Sequence, residues 1–313
     1  MSIDGRPPAP LMSNPRADRV RDVAKLAGRP ARLKTGRFVA EGPQAVREAL
    51  LSHRANVQSG GTGVVLEVFA TQTCLERLPE LSDLAADVSL RLATDEVIGA
   101  MATTISPQGI VAVCRIQDYD LDEVLASGAR LIAVLCEVRD PGNAGTILRA
   151  ADSAGADAVV LTSSSVDIHN PKAVRSTAGS LFHLPVVTGV EFDFLMSAFR
   201  AHGLTVLAAD GYGNVDLDRL QDESAIRRLA PAHTGSDDDG PAAASGAAPG
   251  ASQPRLENST AWLFGNEAQG LSDAQLADAD YRVAVPVYGR AESLNVGTAA
   301  TVCLYASARA QNR

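Results

Sequence analysis

The chain has 313 residues, 46% of them apolar, enough to build two domains with cores of their own. No apolar run approaches the roughly eighteen residues of a membrane span, and the opening MSIDGRPPAPLMSNPRADRV lacks an apolar export segment, so the expected setting is the cytoplasm with no membrane partner. The net charge of -9 disfavours a polyanionic partner for most of the chain, yet residues 1–40 hold nine basic and three acidic groups, which makes that end either a phosphate-facing surface or a solvated basic helix face. Cys74, Cys114, Cys136 and Cys303 are far apart and form no CxxC pair, which argues against a disulfide framework and against a zinc site, and no other metal is expected.

In chain order, residues 1–17 are rich in proline and polar groups and read as a flexible tail. From 18 to 118, helical periodicity in RVRDVAKLAG and PQAVREALLSH is followed by the short strands VVLEVFAT and GIVAVCRI, the pattern of a small α/β domain. Charges crowd together in QDYDLDEVLASGAR, which reads as a connector with one helix, bounded at 119–129. The second domain, 130–313, opens on LIAVLCEV, an uninterrupted apolar run suited to a strand covered on both faces. ADAVVLT, LTVLAAD, AWLFGNE and YRVAVPV are further strands, and helical stretches separate several of them. A mostly parallel sheet with helices on both sides is the economical reading. Residues 233–259, HTGSDDDGPAAASGAAPGASQPRLENS, have almost no large apolar side chain and are expected to be a disordered surface insertion within this domain.

Ligands in open parallel sheets bind beyond the carboxyl ends of the strands. Three loops there carry unusual chemistry. In DPGNAG, Pro141 and Gly142 form a turn, and Asn143 is placed to cap the helix AGTILRAADSAG. On that helix Ile147, Ala150, Ala151 and Ala154 follow the helical repeat and Arg149 falls off it. In FGNEAQGLS, Gly265 and Gly270 flank Glu267; in YGRAESLNVG, Ser293 and Asn295 precede the last helix, VGTAATVCLYASARA. Taken singly, the asparagines read equally as helix caps, Glu267 as a surface carboxylate and Arg149 as a solvated helix residue. Together they place polar groups from three strand ends at one edge. The dinucleotide fingerprint GxGxxG, the phosphate-binding GxxxxGK[ST] and the nucleophile elbow GxSxG are absent.

DPGNAGTILRAADSAGADAVVL, LFGNEAQGLS and VPVYGRAESLNVGTAATVCLYASAR resemble, in order, the three motifs of the SpoU (TrmH-like) branch of the SPOUT RNA methyltransferases. HNPKAVRSTAGSLFHLPV, between the first and second, is similar to a segment of those enzymes, and RFVAEGPQAVREAL is similar to the small substrate-binding domain, related to RNA-binding ribosomal proteins, that many members place first. The resemblance implies an S-adenosylmethionine-dependent methyltransferase acting on a ribose 2′-hydroxyl, with large-subunit ribosomal RNA favoured. Transfer RNA, or a non-catalytic RNA-binding homologue, is the alternative. A trefoil knot in the C-terminal domain and a homodimer are also implied.

Carried onto this sequence, the resemblance gives catalytic or RNA-facing positions to Asn143, Arg149, Glu267, Ser293 and Asn295. It assigns the adenosyl group to the chain around Leu263, Phe264, Gly265, Val285, Val287 and Leu294. A guanidinium keeps its proton near neutral pH. Arg149 is therefore expected to act as a fixed cation at the developing alkoxide, oriented by Glu267, rather than as a base. Ser293 and Asn295 are expected to hydrogen-bond the ribose and the local backbone. For RNA phosphates, Arg32, Lys34 and Arg37 in ARLKTGRFVAEG are the expected contacts, three cations within six residues.

Overall fold

The computed structural model of the chain describes residues 10–229 and 253–312. The N-terminal part contains α1 (Asp18–Lys25), α2 (Arg29–Thr35), β1 (Arg37–Glu41), α3 (Pro43–Gln58), β2 (Val65–Ala70), α4 (Gln72–Arg77), α5 (Glu80–Leu84), β3 (Ser89–Leu92), α6 (Asp95–Met101) and β4 (Ile110–Arg115). Its four strands run in the order β1-β4-β2-β3; β4 is antiparallel to both neighbours and β3 is parallel to β2. Alternation along the strands splits the side chains between two cores. Val39, Phe69, Val111 and Val113 meet α1 and α6, whereas Phe38, Ala40, Val68 and Ala112 meet α3 and continue into the core of the second domain.

α7 (Leu121–Ala126) lies in the expected connector, and Leu121, Val124 and Leu125 bury against the second sheet, so this helix is part of that domain's cover. The second part continues with β5 (Leu131–Leu135), α8 (Pro141–Ser153), β6 (Ala158–Thr162), α9 (Pro171–Ser176), β7 (Val186–Val190), α10 (Phe192–Ala201), β8 (Thr205–Ala209), β9 (Val215–Asp216), α11 (Leu217–Leu229), β10 (Thr260–Phe264), α12 (Asp273–Asp278), β11 (Tyr281–Ala284) and α13 (Val296–Gln311). All seven strands are parallel, in the order β7-β6-β5-β10-β8-β11-β9. Every residue of β5, β6 and β10 is buried, which is why their sequences are continuous apolar runs with no alternation. α8, α9, α11 and α13 pack on one face, where the Trp262 indole donates to Ser307 Oγ at 2.9 Å; α7, α10 and Leu276 of α12 pack on the other. The helices that follow the adjacent strands β5 and β10 thus leave on opposite faces, and it is at such a crevice between strand ends that open α/β sheets bind ligands.

Residues 1–9 of the expected tail and 233–252 of the expected insertion lie outside the described residues, as do 230–232. The rest of both segments is tied down. Met12 bridges to Ala93 through hydrogen bonds with Leu92 and Thr94, while Leu256 is fully buried and Glu257 forms a two-pronged ion pair with Arg227. Composition alone hid these anchors because a single buried leucine among polar residues carries no periodicity.

The two parts are locked by charged groups at their seam. Arg32, expected on the RNA surface, is instead 1% exposed; its guanidinium holds Asp167 through Nε and Nη2 at 3.0 and 2.8 Å and donates Nη1 to the carbonyls of Leu26 and Ala27. Its place in a basic run does not expose it, because the short α2 turns this one cation inward while Arg29 and Lys34 stay in water. Burial opposes ionisation of Asp167, but hydrogen bonds from His169 and Arg32 outweigh it and hold the carboxyl well below the usual carboxylate range. Nearby, His169 packs on the Phe38 ring at 4.8 Å. Further out, His183 bridges Asp152 of α8 and Glu48 of α3 at 2.8 and 3.3 Å.

Arg32→Ala empties a buried guanidinium site and leaves the part-buried Asp167 carboxylate with only His169, and it is expected to cost about 3 kcal/mol in urea unfolding at neutral pH. Because the folded pKa of Asp167 is depressed, its contribution is complete above the ordinary carboxylate range and is lost as pH falls through the depressed value. The gap between wild type and variant should therefore narrow in acid.

Candidate active site

The strand ends β5, β10 and β11 deliver the three polar loops. After β5, the chain passes through Glu137, whose positive φ of 57° is held by Asn266 Nδ2 donating to its carbonyl at 3.0 Å. Asp140 then caps α8, its carboxylate accepting from Asn143 N at 2.9 Å, with Pro141 at the first helical position. The expectation that Asn143 is the cap is corrected: the cap lies three residues earlier, where the backbone is still extended, and this frees the Asn143 amide to face the other loops. Lys172 of α9 pairs with Asp140 at 2.7 Å and, with the Asn143 backbone bond, keeps that carboxyl below its ordinary range.

Glu267, in the loop after β10, binds back to the first loop. Its Oε1 accepts from Asp140 N at 3.0 Å and from Asn143 Nδ2 at 3.1 Å, and Oε2 accepts from Arg139 N at 3.3 Å. Partial burial resists its ionisation, but the Asn143 bond and the backbone donors outweigh this, so its pKa lies below the ordinary glutamate value. The loop itself depends on Gly265. A Cβ there would fall within 2.5 Å of the Gly270 carbonyl oxygen, with the Leu271 backbone equally close, so only glycine permits this return of the chain.

The third loop ends at Asn295, which does cap its helix: Oδ1 accepts from Gly297 N at 2.9 Å and Thr298 N at 3.4 Å, and Nδ2 donates to Asn143 Oδ1 at 3.1 Å. Each amide in this chain has its orientation fixed by its neighbours. The helix N–H groups claim Asn295 Oδ1, so its Nδ2 faces Asn143; that fixes Asn143 Oδ1, and its Nδ2 faces an acceptor-only carboxylate. One residue from each loop thereby enters a single line, Glu267, Asn143, Asn295.

Arg149 is exposed and makes no hydrogen bond or ion pair among the described residues, so the expected orientation by Glu267 is not found; that carboxylate is occupied by the first loop. On α8, Arg149 shares a stripe with Thr146 and Ser153. Thr146 lies against Gly297 of α13, and the Ser153 carbonyl accepts from the Tyr305 hydroxyl at 3.2 Å, so Arg149 sits along the α8–α13 border. Ser293 is exposed two residues before Asn295. Of the expected adenosyl positions, Leu263 and Phe264 turn their side chains into opposite cores and offer only backbone, Gly265 is buried at the loop return, and Val285 is half-buried. Val287 and Leu294 are partly open to solvent on the third loop.

Lys34 and Arg37 are exposed without ion pairs among the described residues. Sequence reasoning missed Arg115, which the β1–β4 register puts directly opposite Arg37; it too is exposed and unpaired among the described residues. Like charges facing each other across a ladder are unfavourable without an anion. Lys172 and Arg175 were missed as well, although both lie in the similar segment HNPKAVRS; only the fold puts α9 against α8.

Two family profiles match the chain. The SpoU rRNA Methylase family covers residues 130–305 and the MRM3-like substrate binding domain covers residues 17–112. A 23S rRNA (guanosine(2553)-2′-O)-methyltransferase, RlmP, of Bacillus subtilis is 33% identical over 92% of this chain and 94% of that protein. A 23S rRNA (uridine(2479)-2′-O)-methyltransferase of Streptomyces viridochromogenes is 30% identical over 74% of this chain and 72% of that protein. The crystal structure of the SpoU methyltransferase AviRb from the same organism, in complex with AdoMet, superimposes with a TM-score of 0.70 at 25% identity, over 94% of this chain and 98% of that one.

Gly265→Ala pushes a methyl into backbone that has no freedom to yield. It is expected to destabilise the protein by about 1–3 kcal/mol in urea unfolding, and calorimetry should show that it also abolishes binding of S-adenosylhomocysteine.

Proposed function

The chain belongs to the SpoU rRNA methylase family, and from that premise we propose that it transfers the methyl group of S-adenosylmethionine to a ribose 2′-hydroxyl of large-subunit ribosomal RNA. The observation that carries this reading is the line Glu267, Asn143, Asn295, which gathers one residue from each of three distant loops at the crevice between β5 and β10. Two relatives named as 23S rRNA 2′-O-methyltransferases favour large-subunit over transfer RNA. In this reading residues 18–118 dock the RNA, 119–129 connect, and 130–313 carry the chemistry.

The residues present fit an adenosyl ligand. The tight turn at Gly265 brings bare backbone donors and acceptors to the end of β10, and Val287 and Leu294 offer partly open apolar surface on the third loop, the mixture a flat heterocycle with polar edges requires. When bound, S-adenosylmethionine supplies a methyl carbon on a sulfonium, already activated toward a nucleophile. The protein's task is to bring the ribose oxygen into line and to stabilise the charge it acquires, and positioning of this kind is worth up to about 7–11 kcal/mol in well-oriented cases. Arg149, with no acidic partner among the described residues, keeps its cation for the RNA: it gathers a phosphate and stabilises the developing alkoxide, while the phosphate or a water takes the proton. Glu267 acts one step away, by fixing Asn143. Ser293 and the outward edge of Asn295 hold the ribose.

This reading includes a trefoil knot. Its support is that the chain from β11 must pass the ends of β8 and β10 to bring Asn295 to α8, past the tight loop at Gly265. It also includes a homodimer built on the small-residue helix α13, whose Val302 and Tyr305 are partly exposed beside α8.

Single-turnover methylation of large-subunit rRNA taken from cells lacking the gene tests the reading, with labelled S-adenosylmethionine. Arg149→Ala should be slower by about 100-fold or more, the scale of losing one preorganised charge stabiliser, and Arg149→Lys should recover only part of the rate. Near-normal rates for both would remove the catalytic role. Neutralising Lys34, Arg37 and Arg115 together should lower the dependence of log affinity on log salt by roughly 0.7–0.9 for each phosphate that these cations neutralise in the wild type; an unchanged slope would return these residues to a solvated face.

A further inference from the structure

We propose that the loop 102–109 of the N-terminal domain forms part of the substrate site, with Ile105 as an apolar wedge that packs against an unpaired nucleobase beside the ribose to be methylated. The inference rests on the RNA reading above.

The loop is fixed at both ends. Thr103 donates its N–H and its hydroxyl to Oε1 of Glu41, at 2.9 and 2.7 Å, and Glu41 is a buried carboxylate at the end of β1. At the far end Gly109, with φ of 82°, packs on Thr71 and Cys74, where a Cβ would come within 2.7 Å of the Thr71 hydroxyl. Between these anchors Ile105 is fully exposed and Gln108 lies over the Gly42 turn. A loop anchored at both ends that holds an isoleucine out in water gains nothing for the fold from that side chain. Single exposed apolar residues are common, but here the same anchor reaches across to the catalytic domain.

Arg175 of α9 donates Nη1 to Thr103 Oγ1 at 2.6 Å and to Glu41 Oε2 at 3.3 Å. Three residues earlier, on the same side of α9, Lys172 pairs with Asp140, the cap of α8, whose carboxylate holds Asn143 N. α9 in turn rides directly on α8: a Cβ on Gly145 would come within 2.7 Å of the Ala173 carbonyl. Less than one turn of helix, at about 1.5 Å per residue, thus separates the tether of the Ile105 loop from the tether of Asn143. The loop that carries Ile105 and the cap that fixes Asn143 are therefore tied to the same short helix, which puts the loop beside the candidate site.

The chemistry of the wedge follows from what must be recognised. Sequence-specific recognition of RNA targets single-stranded loops and bulges, where a freed base can be held against a side chain while its ribose is presented to the site. Aliphatic side chains inserted beside a base step are one way proteins keep nucleotides unstacked. Thr103, Glu41 and Arg175 are positioning residues; Ile105 touches the substrate.

The test uses the full chain with protein-free large-subunit rRNA from cells lacking the gene. Ile105→Ser is expected to lower kcat/KM for RNA by about ten-fold or more, the scale of one apolar contact in a recognition site, with unchanged unfolding midpoint and unchanged affinity for S-adenosylhomocysteine, and Ile105→Leu to restore most of the loss. Trp262 is the only native tryptophan and is buried, so Ile105→Trp gives a local reporter whose emission should be quenched by the rRNA. Equal kcat/KM for Ile105→Ser and wild type, or emission from Ile105→Trp that ignores the RNA, would overturn the wedge. Failure of wild type to methylate any rRNA would instead overturn the proposed function, and the fluorescence experiment still decides contact by itself.

Discussion

The interaction on which the rest of this structure depends is the pair of side-chain hydrogen bonds that join Glu267 to Asn143 and Asn143 to Asn295. The three residues follow strands that are not all neighbours: β5 and β10 are adjacent, but β8 stands between β10 and β11. Bringing the third loop to the first requires the chain to cross the carboxyl edge of the sheet, and such a crossing persists only if something holds its end. The asparagine pair supplies that hold with neutral groups whose donors and acceptors are all assigned, while Glu267 brings the only charge in the line. Because Glu267 also accepts from the backbone of residues 139 and 140, the entry into α8 is fixed together with Asn143.

Leaving Arg149 outside this line has a physical consequence. A guanidinium already paired with a carboxylate would present little net charge to a phosphate, whereas one bordered by α13 and without an acid among the described residues retains its full field. The arrangement separates two groups that the sequence alone joined: the carboxylate organises the loops, and the cation stays open to solvent.

The seam between the two domains is also built from charge, but from buried charge. Arg32 with Asp167, and Glu41 with Arg175 and Thr103, are networks in which most partners are satisfied, and they flank a continuous apolar core that runs from α3 into the second sheet. Buried ion pairs add little net stability over apolar contacts, but they tolerate few alternative arrangements, since any slippage leaves a charge unpaired. A seam of this kind fixes the angle between the N-terminal domain and the crevice at the ends of β5 and β10. That matters for an enzyme that must deliver one hydroxyl among many to a fixed point.

Much of this was legible in the chain. LIAVLCEV, ADAVVLT and AWLF announce strands covered on both faces because burial on two sides removes polar alternation, and the glycines and polar residues of DPGNAG, FGNEAQG and YGRAESLNVG mark the strand ends where a site forms. The resemblance carried by those loops also brought the family. Other features were closed to sequence because they are relations between segments far apart. Whether Arg32 faces water or Asp167 depends on a residue 135 positions away; whether Asn143 is a cap or a link depends on Asp140 taking the cap and on Asn295 arriving from 152 positions later. Arg115 gains meaning only when β-pairing sets it opposite Arg37. Local sequence determined which segments become strands, helices and turns, since those follow from burial period and backbone freedom. Tertiary structure decided which polar groups meet, because hydrogen bonds and ion pairs are set by distance in space and leave no period in the chain.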